Sequence, residues 1–218
     1  MLEKIRVKIC GLTRLEDAQE AAELGAFALG FVFYPPSPRA IAPEAAASII
    51  SALPTAPWKV GVFVNQDFET LARTASNTGL SHLQLHGHES PELCEKLQAE
   101  GFQIIKALRP RSEADWAPWL DFPFLLLLDT AIPGVWGGSG QTGDWDLAAQ
   151  IARQRPILLA GGLTPENSLA AQATVQPWAL DLSSGVEARP GEKDPAKLQA
   201  LFQTLNTSVF ASERNPSP

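Results

Sequence analysis

The chain has 218 residues, 45% of them hydrophobic, with 24 acidic against 17 basic side chains and a formal charge of −7. That length supports one large hydrophobic core, and the acidic balance argues against a nucleic-acid surface, so an anionic ligand has to be held by local chemistry. No apolar run approaches the ~20 residues that span a bilayer, and the first residues lead straight into a strand-like run with no room for a signal peptide, so no membrane and a cytoplasmic location are expected.

Eight short apolar runs recur along the chain: Ile5 to Cys10, Phe27 to Phe33, Lys59 to Val64, His82 to Leu85, Ile104 to Leu108, Phe124 to Asp129, Ile157 to Ala160 and Ala179 to Leu182. Segments with helical spacing lie between them, such as Ala46, Ile49, Ile50 and Leu53 after the second run and Leu93 and Leu97 after the fourth. Ser90-Pro91, Thr164-Pro165 and Asp194-Pro195 each place a capping side chain before a proline suited to a first helical turn. Strands too apolar to have a wet face, alternating with helices, predict a parallel sheet covered by helices. Eight such units in about 200 residues predict an α/β fold, a single closed (β/α)8 barrel over residues 1–206, followed by a frayed tail over 207–218. An open doubly wound sheet is the competing architecture, but Gly11 stands alone where a dinucleotide fingerprint would follow the first strand.

In a barrel the functional groups sit where strands end. The seventh run closes on Gly161-Gly162 and the eighth on Ser183-Ser184-Gly185, two loops that together suit a phosphate cradle of backbone amides and hydroxyls. Taken singly, each loop is equally a tight strand-to-helix turn. Strand alternation puts Lys8 one layer beneath Cys10, where a cation favours the thiolate. A lone cysteine ending a strand is more often a small buried hydrophobe, and Cys94, set mid-helix, is read that way. Asp129 ends the sixth run after five leucine or phenylalanine residues; burial there predicts a raised pKa and an acid able to donate a proton. The glycine-rich stretch from Pro133 to Gly143 that follows is long enough to close over a ligand. Arg39 sits on the proline-stiffened loop Pro35-Pro36-Ser37-Pro38, suited to a carboxylate or phosphate. His86 and His88 lack a third ligand at metal spacing, and no metal is expected.

Together these segments resemble phosphoribosylanthranilate isomerase. The resemblance rests on Lys8-Ile9-Cys10-Gly11-Leu12-Thr13, Gly30-Phe31-Val32-Phe33 with Ser37-Pro38-Arg39, Gly61-Val62-Phe63-Val64-Asn65 and Gln84-Leu85-His86-Gly87. It continues through Leu128-Asp129, Gly137-Gly138-Ser139-Gly140, Leu159 to Leu163, Asp181 to Glu187 and Pro190 to Asp194. It implies an Amadori rearrangement of a phosphorylated aminoaldose in tryptophan biosynthesis, with no metal or organic cofactor. By the same resemblance Cys10 is the general base, Asp129 the general acid and Arg39 the binder of the anthranilate carboxylate. Gly161, Gly162, Ser183, Ser184 and Gly185 hold the phosphate, and Asp181 lines the interior near the sugar. One departure is Gly143, where the family usually has phenylalanine before Asp-Trp, which predicts a looser sixth loop.

Two other readings compete. The related isomerase of histidine biosynthesis handles a substrate with two phosphates, yet the loop Asn65-Gln66-Asp67 lacks the paired glycines of a second cradle. A non-catalytic phosphate-binding barrel has no use for Cys10 together with Asp129. The partner expected is a small phosphorylated molecule, and the absence of heptads or sheet-edge signals predicts a monomer.

Overall fold

The computed structural model describes residues 4–130 and 144–213, with side chains described as far as residue 206. Strands β1 (Arg6–Ile9), β2 (Ala28–Val32), β3 (Trp58–Phe63), β4 (His82–Leu85), β5 (Gln103–Leu108), β6 (Leu125–Asp129), β7 (Ile157–Ala160) and β8 (Ala179–Leu182) pair in order. All are parallel, and β1 closes the ring on β8 with Lys8 directly opposite Asp181. The outer face of the barrel carries α1 (Leu15–Glu23), α2 (Pro43–Ser51), α3 (Phe68–Thr78), α4 (Pro91–Ala99), α5 (Trp145–Ala152), α6 (Ser168–Val175) and α7 (Pro195–Glu213). Their apolar stripes bury against outward-facing strand residues such as Ile9, Phe31, Leu83 and Leu126, which forms the larger core.

Among the described residues the expected helix between β5 and β6 is missing, and two 3-10 turns, Glu113–Asp115 and Ala117–Trp119, take its place. Pro110, Pro118 and Pro123 remove backbone donors that a helix needs. The segment is held instead by the buried Trp116 and by Arg155, whose Nη1 donates to the Trp119 and Phe122 carbonyls at 2.7 and 3.1 Å. The Ser90 and Asp194 caps form as expected, Ser90 Oγ accepting from Leu93 N at 3.4 Å and Asp194 Oδ1 from Ala196 N at 2.9 Å. The Thr164 start does not: α6 begins at Ser168, because Asn167 bridges Thr164 N (2.8 Å) and Gly162 O (2.9 Å) and holds the intervening residues in a turn. The division expected at residue 207 falls inside α7.

Inside the barrel, polarity changes along the axis. The lower end is shut by Phe27, Trp58 and Trp178, with ring centroids 5.2 to 5.7 Å apart. His82 stacks on Trp58 at 3.9 Å, and burial pulls its pKa down to about 4. Above this plug lies an apolar layer that includes Ala28, Val60, Ile105, Leu127 and Leu158. Gln84 and Asp181 are buried nearer the carboxyl ends of the strands, and Lys8, alongside Ala28 in the register, extends its ammonium to Asp181. A closed lower end and a polar upper end leave one mouth for chemistry. The stretch 131–143, with Gly143 and the expected closing loop, lies outside the described residues.

Candidate active site

Cys10 follows β1 and its Sγ faces inward over Gly30, where a Cβ would stand only 2.9 Å from the sulfur. Any side chain at position 30 would therefore push into the thiol. One layer below, Lys8 Nζ donates to Asp181 Oδ1 at 2.8 Å, and the lysine side chain is fully buried. Burial works to lower the Lys8 pKa, but Asp181 and Cys10 beside it overcome this and raise it, so the ammonium is retained. Cys10 departs from expectation. Burial pushes its thiol upward, and the pull of Lys8 and Lys193 does not reverse this while the Asp181 charge adds to the rise. With its pKa raised, Cys10 is a neutral thiol at neutral pH.

Asp129, at the end of β6, departs in the opposite direction. Burial alone would raise its carboxyl, but His86 Nε2 at 3.3 Å and Arg109 Nε at 3.0 Å hold its pKa at about 2. The expected raised pKa is thus corrected: this carboxylate rests ionised against two cation-capable groups. His86 is oriented by Gln84, whose Nε2 lies 3.0 Å from His86 Nδ1. With that amide donating, a neutral His86 carries its proton on Nε2, toward Asp129. His88 turns away, exposed, with only its backbone N donating to Asn65 Oδ1, so the two histidines do not face one site. Among the described residues no group of three or more His, Cys, Asp or Glu side chains is placed to hold a metal ion. Cys94 is buried in the outer core, where burial raises its thiol to about 11.

The loops after β7 and β8 meet. Gly161 and Gly162 take positive φ of 96° and 66°, and a Cβ on Gly185 would stand 1.9 Å from the Leu163 carbonyl oxygen. Glycine is therefore required at 185 by the close approach of the two loops. Among the described residues the amides of Gly161, Gly162, Ser184 and Gly185 donate to no other group. These donors suit an anion.

Arg39 reaches the same mouth from the loop after β2. Its stem lies flat on Gly11, whose built Cβ would meet Arg39 Cδ at 2.6 Å and Ser183 Oγ at 3.0 Å. Its guanidinium already holds a carboxylate, donating from Nε and Nη2 to Glu187 at 2.9 and 2.6 Å. Glu187 belongs to a hairpin formed by β9 (Glu187–Arg189) and β10 (Glu192–Lys193). Sequence reasoning missed Glu187, Lys193, His86 and Arg109 as site residues. For two of them a signal existed: strand alternation carried one step beyond β4 and β5 points His86 and Arg109 inward, with Gln84 and Ala107.

Fold and site define a (β/α)8-barrel enzyme whose polar site occupies the carboxyl ends of the strands. Residues 7–204 match the family model described as N-(5'phosphoribosyl)anthranilate (PRA) isomerase. A relative of that name from Pelobacter propionicus is 47% identical over 211 residues, which is 96% of this chain and 100% of its own length. A crystal structure of phosphoribosyl anthranilate isomerase from Thermotoga maritima superposes with a TM-score of 0.86 at 46% identity, covering 93% of this chain and 99% of that one. Another, solved in complex with reduced 1-(o-carboxyphenylamino)-1-deoxyribulose 5-phosphate, gives 0.82 at 43% identity and the same coverage. The chain belongs to the N-(5'-phosphoribosyl)anthranilate isomerase family and is an isomerase.

Proposed function

We propose that this chain converts N-(5'-phosphoribosyl)anthranilate to 1-(2-carboxyphenylamino)-1-deoxyribulose 5-phosphate, a step of tryptophan biosynthesis, with Cys10 as base and Asp129 as acid. The observation that carries the residue assignment is the arrangement at the mouth. A thiol on β1 and a carboxylate on β6 lie on opposite sides of a floor made by Lys8 and Asp181. Undonated amides line the rim after β7 and β8, and Arg39 reaches that mouth from the loop after β2.

The chemistry follows from these positions. Asp129 gives a proton to the furanose ring oxygen, the C1'–O bond breaks, and the nitrogen lone pair forms an iminium at C1'. That iminium acidifies the C2' proton, which Cys10 takes, and the C2'–H electrons form the C1'–C2' double bond of an enolamine. Gain of a proton at C1' and loss of the C2' hydroxyl proton complete the ketone. Acid and base each contribute on the order of 10²–10⁴-fold. The substrate is held at both ends, its phosphate by Gly161, Gly162, Ser183, Ser184 and Gly185 and its carboxylate by Arg39, with Asp181 beneath the sugar.

The surroundings of the two groups favour the reverse protonation states, thiol and carboxylate. Substrate binding has to load Asp129 and unload Cys10. His86 Nε2, 3.3 Å from Asp129, donates a hydrogen bond to the carboxylate, while the proton Asp129 gains and the one Cys10 loses are exchanged with solvent at the open mouth. Excluding water and drawing Arg109 away from Asp129 both work in the loading direction.

A monomer is proposed on the lack of heptad or sheet-edge signals in the sequence; sedimentation of the purified protein tests it. A thiol base has to stay reduced, which supports a cytoplasmic location. The activity is tested by adding purified protein to freshly prepared N-(5'-phosphoribosyl)anthranilate and following anthranilate fluorescence. Rapid loss of signal with product formation is expected. A rate equal to buffer would reject the assignment.

A further inference from the structure

We propose that Glu187 is the positioning residue of the carboxylate anchor: it grips one edge of the Arg39 guanidinium and so presents the other edge to the anthranilate carboxylate. This rests on the reading of Arg39 given above. A guanidinium has two edges able to take a carboxylate by paired N–H donors, and the Nε/Nη2 edge is the one Glu187 occupies. Nη1, with the second proton of Nη2, forms the remaining edge, and among the described residues Nη1 has no partner.

Glu187 is itself fixed. Its side chain is 4% exposed, and Oε1 also accepts from Lys193 Nζ at 2.9 Å and from Gly191 N at 3.3 Å. Lys193, fully buried, donates further to the carbonyls of Cys10 at 2.6 Å and Ser183 at 3.2 Å. One carboxylate thus ties the anchor arginine, through one lysine, to the backbone of the base and to the phosphate loop. Separation between the two ends of the substrate is set by side chains with almost no freedom, the condition under which small misplacements are costly in rate.

Charge points the same way. Arg39 and Lys193 both pair with the Glu187 carboxylate, which leaves the open edge of Arg39 without a side-chain anion among the described residues. A substrate carboxylate on the open edge supplies it. Burial pushes the Glu187 carboxyl up, but the hydrogen bond from Arg39 and the Lys193 charge hold it below the usual range, so it stays ionised while the ligand comes and goes.

The test pairs a change in the protein with a change in the substrate. kcat/KM is measured for N-(5'-phosphoribosyl)anthranilate and for N-(5'-phosphoribosyl)aniline, which lacks the carboxylate, with wild type and Glu187→Gln. Wild type is expected to prefer the carboxylated compound by about 100-fold, the scale of a lost charge-assisted pair. In Glu187→Gln the preference falls to about tenfold or less, mainly through KM, because an unbraced Arg39 is poorly aimed. Loss of general fold support would lower both substrates together and leave the ratio unchanged. Glu187→Asp keeps the charge that Lys193 needs while shortening the reach to Arg39, and it shows the same fall if Glu187→Gln folds poorly. A preference that is unchanged or larger in both variants, as expected if Glu187 merely blocks Arg39, overturns the inference. A wild type inactive on the carboxylated substrate overturns the functional reading beneath it.

Discussion

On the Cys10 side of the barrel mouth Lys8 and Asp181 pair with side chains 0% and 7% exposed, whereas on the Asp129 side the partner cation Arg109 keeps 70% of its side chain in water. The buried pair is shielded from salt and has no solvent to fall back on if one member is lost. The open pair is screened within about 10 Å at ordinary ionic strength and is free to part when a substrate arrives. The difference separates two tasks. In the proposed mechanism the buried pair would serve as a fixed floor beneath Cys10, while Arg109 adds to the pull of His86 on the Asp129 carboxylate and is free to move aside.

The largest effect that would sharpen this contrast is on the acid itself. Asp129→Asn keeps shape and removes the titrating proton, so kcat should fall on the order of 10³-fold with KM changed little, read from anthranilate fluorescence. Loss confined to KM would make Asp129 a binding group and erase the distinction between the two sides. On the buried side, Lys8→Met strands the Asp181 carboxylate in the barrel and should cost on the order of 3–5 kcal/mol of unfolding free energy, measured by urea denaturation. Arg109→Met at the open side should cost under about 1 kcal/mol at neutral pH, since its partner is reached from solvent.

Arg109→Met also has an acid-side signature. Asp129 has a folded pKa of about 2 against an ordinary value of 3.8, so its contribution to stability is present above the ordinary value and is lost as pH falls through about 2. Without Arg109 the folded pKa rises toward the ordinary value, so that loss should be smaller and complete at a higher pH in acid-unfolding curves. Superimposable acid limbs for variant and wild type would show that Arg109 does not tune Asp129.

Much of the architecture was legible because apolar runs and glycine or proline punctuation repeat around the barrel. The β5–β6 crossover was not, since a short proline-rich segment closed by Arg155, just past the end of α5, carries no periodicity of its own. Site positions followed the same divide. Lys8 beneath Cys10 and the paired loops at Gly161-Gly162 and Ser183-Ser184-Gly185 could be read from alternation and turn residues. Their protonation states could not: Lys8 faces Asp181 only through the β1–β8 closure, and Asp129 meets His86 and Arg109 only across β4, β5 and β6. The expected direction at Asp129 was reversed by partners distant in sequence, and that at Cys10 by burial, which outweighs the cations beside it.

The central claim is that Cys10, once deprotonated to the thiolate, takes the C2' proton. Single-turnover decay of anthranilate fluorescence with Cys10→Ala, at enzyme in excess over N-(5'-phosphoribosyl)anthranilate, tests it most directly. A rate reduced on the order of 10³-fold or more, with substrate still bound, is the predicted result. A Cys10→Ala rate within about tenfold of wild type would contradict it, because a general base cannot be dispensed with so cheaply.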